Sequence, residues 1–574
     1  MPIHNKEIGD CFDQVADLLE IGGANPFRIR AYRQAANTVS RLPRSVAEML
    51  KQGEDLSELP GIGKDLAGKI EEIVRTGKLR LLEDLKRKNP PGITALLQVP
   101  SLGPQRVKRL NKELGVNTLA DLEKAAKGGR IRELNGFGEK TERRILEELQ
   151  RTHGVERRFR WMLAKQMTEP FLDYLRKSKK AQPLEIAGSY RRRKDTVGDI
   201  DILAASAAPE EVMKRFTAYE DVSQVLAQGE TKATVLLRTG LQVDIRVVPE
   251  ESYGAALLYF TGSKAHNIAL RRLAQDRGLK INEYGVFDKK GRRLAGRTEA
   301  EIYRLLKMDW IPPELREDRG EIAAAQAHRL PKLVEWKDIR GDLHVHTEAS
   351  DGRATLEALA RRAQEKGYEY LAITDHSPYV GITHGLDAKR LRAQLKAIDR
   401  LNGKLRGLRI LKGIEVDILE DGSLDLPDEV LKELDLTVGA VHGHFQLSQK
   451  KQTERILRAM DHPCFNIFAH PTGRLLGERP PYDVDMERLM AGAKQRGCFL
   501  EVNSEPDRMD LDDAACRMAK EMGLRVAVST DAHALDGLDL MELGVAQARR
   551  GWLERQDLLN TLALKDLLRA LKRR

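Results

Sequence analysis

A rhythm in the last third of the chain restricts its fold more than any other feature. Between residues 338 and 574, seven short apolar runs alternate with helical patterns, and six of the seven end in imidazole or carboxylate side chains. These are Asp342-Leu343-His344-Val345-His346, with Asp351 in the loop beyond, Ile373-Thr374-Asp375-His376 and Gly413-Ile414-Glu415-Val416-Asp417. Ala440-Val441-His442-Gly443-His444, Phe468-Ala469-His470-Pro471 and Ser529-Thr530-Asp531-Ala532-His533 follow. The exception, Phe499-Leu500-Glu501-Val502-Asn503, has no histidine but carries polar residues that can serve the same place. Short strands alternating with helices specify an α/β barrel-like unit. In parallel barrels, ligands collect at the C-terminal strand ends. One histidine there is usually an ordinary polar residue; the repetition predicts a metal centre. Mixed imidazole and carboxylate ligation suits Mn²⁺, Zn²⁺ or Fe²⁺. Metal ions held there can activate a bound water.

A chain of 574 residues exceeds one hydrophobic core, so further domains precede this unit. The first third is dense in helix patterns and repeats a glycine hairpin: Leu59-Pro60-Gly61-Ile62-Gly63, Val99-Pro100-Ser101-Leu102-Gly103 and Leu134-Asn135-Gly136-Phe137-Gly138. Each reads as a tight turn opening a helix, whose first N–H groups can hold a phosphate. Such contacts ignore base identity. An ordinary helix end accounts for any single copy but not for three of one character, so Gly61, Gly63, Gly103, Gly136 and Gly138 are candidate DNA-contact positions. A net charge of +10 suits a polyanionic partner without identifying it.

From about residue 184 the pattern turns to strands, with Leu184–Ala187, Asp199–Ala204 and a hairpin from Thr234 to Val248 turning at Thr239-Gly240. In Gly198-Asp199-Ile200-Asp201 the two aspartates face one side of a strand. Asp244, in Val243-Asp244-Ile245-Arg246, joins them if its strand is adjacent. Three carboxylates together repel strongly, and two divalent ions, Mg²⁺ or Mn²⁺, remove the conflict. Ser189 and Arg192, in the turn before, are placed to bind phosphate oxygens.

This stretch resembles the nucleotidyltransferase superfamily, and specifically the family X DNA polymerases related to polymerase beta. Tyr259-Phe260-Thr261-Gly262-Ser263 matches that family's sugar-lining segment, and Ile281-Asn282-Glu283-Tyr284 another part of its nucleotide-side subdomain. The resemblance covers roughly residues 1 to 315. It implies that Asp199 and Asp201 bind both metals and that Asp244 helps activate a primer hydroxyl. Ser189, Arg192, Gly198, Tyr259, Phe260, Gly262, Lys264 and Asn267 would contact the nucleotide, and Arg271 the template. Arg193 and Lys264 depart from the family pattern and are expected to add positive charge near the triphosphate. Family members often carry a 5′-deoxyribose-phosphate lyase in the first domain; its lysine aligns with Lys69 and its supporting, DNA-side tyrosine with Tyr32. Asp65 stands where a phosphate-binding lysine is usual and works against that activity.

The C-terminal unit resembles the PHP (polymerase and histidinol phosphatase) family, which typically holds about three metals through nine ligands. They map to His344, His346, Asp351, His376, Glu415, His442, His470, Asp531 and His533, with none substituted. The expected fold is multidomain: a helix-hairpin-helix N-terminal region, an α+β nucleotidyltransferase palm with a thumb-like subdomain, and a distorted (β/α)₇ barrel. The expected divisions are 1–82, 83–150, 151–250 (palm), 251–315 (thumb), a charged, alanine-rich linker over 316–337, and 338–574. The resemblances together imply gap filling in DNA repair with dNTPs on gapped or nicked DNA, and 3′→5′ exonuclease or 3′-end phosphoesterase action. The alternatives are a histidinol-phosphatase-like enzyme with a DNA-binding front, or a non-catalytic repair scaffold. With no apolar leader, no membrane-length run and four cysteines lacking CxxC spacing, a cytoplasmic monomer without membrane contact is expected.

Overall fold

The computed structural model describes all residues except 1–4, 43–45, 90–91, 98, 100–101, 135, 153–157 and 573–574. Its three glycine hairpins fold alike. Ile62 N donates to Leu59 O, Leu102 N to Val99 O and Phe137 N to Leu134 O, at 2.9–3.0 Å. The following glycine then accepts the first helical bond, from Ala67 N to Gly63 O, Val107 N to Gly103 O and Glu142 N to Gly138 O. Ile62, Leu102 and Phe137 are buried, so each turn is anchored by an apolar side chain beneath it. The hairpin residues Pro100, Ser101 and Asn135 lie outside the described residues.

One apolar core runs from helix Asn5–Ile21 to helix Glu139–Thr152. Helix Arg80–Lys88 crosses the expected boundary at 82–83, and Leu82 shares that core with Ile93 and Val107. The two expected units over 1–82 and 83–150 are therefore joined by a common core. Halves of about 70–80 residues bury too little surface to be independent, and packing them together enlarges the core.

The palm is a five-stranded sheet in the order Leu184–Ile186, Asp199–Ala205, Gln242–Val248, Lys232–Leu237, Val222–Gln228. Asp199–Ala205 and Gln242–Val248 pair in parallel, the other pairs antiparallel. Ile200 and Ile202 are buried while Asp199 and Asp201 face the other side, the period-two pattern of a strand with one covered face. A smaller unit follows, with helices Tyr253–Thr261, Lys264–Asp276 and Glu299–Leu305 around three short antiparallel strands.

Residues 316–337 are not a linker. Helix Glu321–Gln326 packs its small side chains into the core of this unit, and Ala325 and Leu333 share that core with Trp552 of the barrel. Val334 N donates to Leu553 O at 3.0 Å. Alanine-rich composition reads as a spacer, but it also permits close helix packing. Arg316 is fully buried. Its guanidinium and that of Arg191 converge on Glu299, with Arg316 Nη1 at 2.6 Å and Arg191 at 2.8 and 3.0 Å. Burial pushes the Glu299 carboxyl up, but the two arginines outweigh it and bring it down to about 2 from 4.5. A depressed folded-state value means this contribution is complete above 4.5 and is lost as pH falls toward 2. Glu299→Gln leaves the buried Arg316 without its counter-charge and the half-buried Arg191 with Glu185 alone. Urea unfolding at pH 7 is expected to show a loss of about 3–5 kcal/mol, shrinking as pH falls through that window.

The C-terminal unit closes as a barrel. Strands Gly341–Asp342, Tyr370–Ile373 and Arg409–Lys412 form one parallel sheet. Glu415–Asp417, Val438–Ala440, Ile467–Phe468, Phe499–Asn503 and Val526–Ser529 form another. Parallel bridges His376↔Glu415 and Val345↔Ala532 join them at both edges. Arg409–Lys412 and Glu415–Asp417 are two halves of one strand broken at Gly413-Ile414. Seven strands therefore circle the core, as the sequence rhythm requires.

Candidate active sites

The parallel register sets Asp201 directly opposite Asp244. Ligand oxygens of Asp199, Asp201 and Asp244 lie within 4.8 Å of one another. Burial, then the charges of Asp199 and Asp244, push the Asp201 carboxyl up to about 7. A group so raised is short of positive charge, and divalent cations fit that deficit. Asp244 is aimed by its neighbours: Thr234 Oγ1 donates to one oxygen and Gln242 Nε2 to the other at 2.8 Å. Gly188, with φ +61°, begins the turn beneath. A Cβ there would sit 2.5 Å from Asp201 Oδ2, so only glycine leaves room for the carboxylate.

A cleft of about 640 Å³ opens beside the trio. It gathers Ser189, Arg192, Gly198, Asp199, Asp201, Tyr259, Phe260, Gly262, Lys264, Asn267 and Arg271, from two subdomains. Arg192 donates to Thr261 O and, at 3.1 Å, to Glu317. Asn267 donates to Tyr259 O at 2.7 Å, and the Arg271 guanidinium lies 5.1 Å from the centre of the Tyr259 ring. Two expectations are corrected. Arg193 points away from the cleft, stacking 4.1 Å over Trp161 and pairing with Glu542 of the barrel at 3.0 Å. Its φ of 55° turns the chain so that three successive arginines take three directions. Tyr32 is 3% exposed, edge-on against Phe12 in the core, and offers no surface to DNA. Lys69 is ion-paired with Asp65.

At the hairpins, a Cβ at Gly63, Gly103 or Gly138 would meet no protein atom within 4 Å. Gly63 and Gly103 have φ −76°, open to any residue. Neither packing nor backbone therefore demands glycine at these positions, and the first helical N–H groups beside them are open to approach. Gly63→Val/Gly103→Val is expected to hold its unfolding midpoint within about 2 °C. Its binding to gapped duplex DNA, read by fluorescence anisotropy, should weaken about tenfold.

In the barrel, the expected ligands converge from six strand ends. Three groups have ligand atoms within 4.8 Å: His346 with Asp351, His376 and His533; His344 with His346 and Asp531; His376 with Glu415 and His442. His470 joins through Glu415, its Nε2 3.0 Å from Oε1. His346 and His376 each belong to two groups, so three ions can share ligands. Buried atoms without hydrogen-bond partners include Nε2 of His344, both ring nitrogens of His346, His376 Nδ1 and Glu415 Oε2. Orphaned buried polar atoms on this scale fit metal coordination.

Residues outside the predicted set orient these ligands. Glu501 accepts from His344 Nδ1 at 2.7 Å and from the His470 backbone at 2.7 Å. Asp417 accepts from His442 Nδ1 at 3.1 Å, and the Asp531 carbonyl from His533 Nδ1 at 2.7 Å. Each leaves Nε2 free toward the centre. Asn503 donates to Glu501 and Asp531 at 3.0 and 3.1 Å. The run without histidine thus supplies orientation. Burial, with His533 and His376, pushes His346 down to about 4, holding it neutral as a ligand must be.

A nucleotidyltransferase palm and thumb joined to a multinuclear metal barrel define a class: a polymerase-type transferase fused to a phosphoesterase. Residues 256–317 match the DNA polymerase beta thumb family, 3–79 a helix-hairpin-helix domain, 93–151 a SAM-like helix-hairpin-helix tandem, and 342–505 the PHP domain. Over 574 residues, 100% of both chains, the protein is 38% identical to the DNA polymerase/3'-5' exonuclease PolX of Bacillus subtilis (strain 168). A probable phosphatase of Thermoanaerobacter sp. (strain X514) is 32% identical over 248 residues, 41% of this chain and 96% of the relative. A probable phosphatase of Caldanaerobacter subterraneus subsp. tengcongensis is 36% identical over 204 residues, 33% of this chain and 75% of the relative. The chain belongs to the family of the PolX DNA polymerase/3'-5' exonucleases.

Proposed function

We propose that this protein fills gaps in DNA during repair as a template-directed polymerase, and that its barrel trims 3′ ends by metal-dependent phosphoester hydrolysis. The observation that carries the first activity is the register of Asp201 against Asp244, with Asp199 on the same face, at the floor of the cleft. Two Mg²⁺ or Mn²⁺ ions, when bound there, would lower the barrier to attack of a primer 3′-hydroxyl on the nucleotide α-phosphate. The chain's own residues do the positioning. Gly188 and Ser189 open the turn toward the triphosphate, Arg192 and Lys264 offer positive charge to it, and Tyr259 and Phe260 wall the sugar. Asn267 and Arg271 fix Tyr259 from behind. Gly61, Gly63, Gly103, Gly136 and Gly138 hold the duplex through phosphates.

In the barrel, nine ligands would hold about three Mn²⁺, Zn²⁺ or Fe²⁺ ions, which supply activated water and oxyanion stabilisation. Here Glu501, Asp417 and Asn503 keep the imidazoles and Asp531 aimed, and burial keeps bulk water from competing. A purely small-molecule phosphatase would leave the cleft and hairpins without work. The lyase is not part of this proposal, because Lys69 is engaged by Asp65. No disulfide joins the four cysteines, which suits the reducing cytoplasm, and no helix among the described residues is long and apolar enough to cross a membrane. Primer extension on gapped duplex DNA, with 3′-end shortening followed in the same preparation without dNTPs, tests both activities.

A further inference from the structure

One cation at the barrel centre has no assigned task. Arg508 lies in the segment that follows strand Phe499–Asn503, is 19% exposed, and sets its Nε 3.9 Å from Asp531 Oδ2. That distance is a charge contact, too long for a hydrogen bond. Among the described residues the guanidinium has no hydrogen-bond partner, although it carries five donors in a rigid fork. Asp531 offsets part of the repulsion that an arginine meets beside a site built for cations, but at 3.9 Å it takes none of the guanidinium's hydrogen bonds, which leaves them to an anion that reaches both. A phosphate is the anion that a planar fork fits.

The segment is held so that Arg508 cannot swing freely. Arg508 N donates to Glu505 O at 2.8 Å, and Arg474 Nε donates to Arg508 O at 2.8 Å. Arg474 also pairs with Asp195 of the palm at 3.3 Å. From the other side, palm residue Arg160 pairs with Asp507 and with Glu478, the latter at 2.8 Å. Met509, with φ 47°, is buried in the palm core. A non-glycine residue keeps that backbone only where its surroundings enforce it. The enforcement here places a guanidinium at the metal centre.

We propose that Arg508 is a catalytic residue of the barrel site, donating to the non-bridging oxygens of the phosphate that is cleaved there. This rests on the phosphoesterase reading above. The test uses the full chain loaded with Mn²⁺, comparing wild type, Arg508→Ala and Arg508→Lys. Three quantities are read: bound metal by mass spectrometry, dTMP affinity by calorimetry, and turnover of both DNA 3′ ends and bis(p-nitrophenyl) phosphate. Arg508→Ala is expected to keep its metal and its primer extension, to bind dTMP about tenfold more weakly, and to lose about 10²-fold in kcat. Arg508→Lys should recover part of both, and added guanidinium should partly restore Arg508→Ala. Loss of metal in Arg508→Ala would show a supporting role for Asp531 and overturn the proposal. Affinity and turnover within twofold of wild type would overturn it equally. Should wild type cleave neither substrate, the phosphoesterase reading fails, and dTMP binding still decides whether Arg508 holds phosphate.

Discussion

Replacing Asp199 and Asp201 together by alanine is expected to lower templated extension by at least about 10³-fold, in Mg²⁺ and in Mn²⁺ alike. The two residues supply the shared floor of the metal site, and Asp244 alone cannot hold two ions. The fold should survive. Asp199 is exposed, Asp201 is destabilised by its neighbours, and on the covered side the strand packs through Ile200, Ile202 and Ala204. Removing a carboxylate pushed up to about 7 removes repulsion along with function. Circular dichroism should be unchanged and the unfolding midpoint equal or higher. Extension by the double variant within tenfold of wild type would rule out this trio as the polymerase centre.

The second large effect belongs to Glu415. Its carboxylate lies within 3.6 Å of ring nitrogens from His344, His346, His376, His442 and His470. It is the only carboxylate facing all five imidazoles in this way among the described residues, so it would supply the central negative charge for ions bound there. Glu415→Ala should lose most of the bound transition metal, measured by mass spectrometry, and at least about 10³-fold in 3′-end shortening. Primer extension should be retained, because the palm trio shares no ligand with the barrel. An Glu415→Ala protein that keeps full metal and full 3′ shortening would remove the barrel centre from the chemistry.

Much of both centres was legible in the sequence because their signals are periodic. Asp-x-Asp on a strand fixes a shared face, and a ligand at six strand ends fixes a shared rim. What stayed hidden depends on contacts between distant segments. Glu501 lies within an apolar run, and nothing local says that it orients His344 across the barrel. Asp417 could have been suspected, since it alternates with Glu415 on one strand. Arg193 stands beside two arginines that reach the neighbouring unit at Thr261, Glu299 and Glu317, and only its positive φ and the presence of Trp161 and Glu542 turn it away from them. Tyr32 matched a family position, but helix packing commits its ring to the core. The misreading of 316–337 has the same origin. Charge and alanine suggest a solvated spacer, whereas Arg316 is neutralised by Glu299 and the alanines allow close packing.

The joined construction also has a physical consequence for how the two centres are held. The palm grips the barrel through Arg160, Asp195 and Arg193, and Arg550 of the barrel donates to Arg192 O at 2.6 Å and to Glu317 at 3.2 Å. Arg550 is almost fully buried, so these bonds persist without competition from water. Nucleotide cleft and metal barrel are therefore joined by polar contacts between their units and not by the chain alone.

The most direct test of two independent centres in one chain uses a single gapped duplex labelled at the primer 5′ end, with Mn²⁺ present. Wild type should lengthen the primer when dNTPs are supplied and shorten it when they are withheld. Asp199→Ala/Asp201→Ala should only shorten it, and Glu415→Ala should only lengthen it. If either variant loses both activities while remaining folded, or if wild type neither lengthens nor shortens the primer, the two-centre account is wrong.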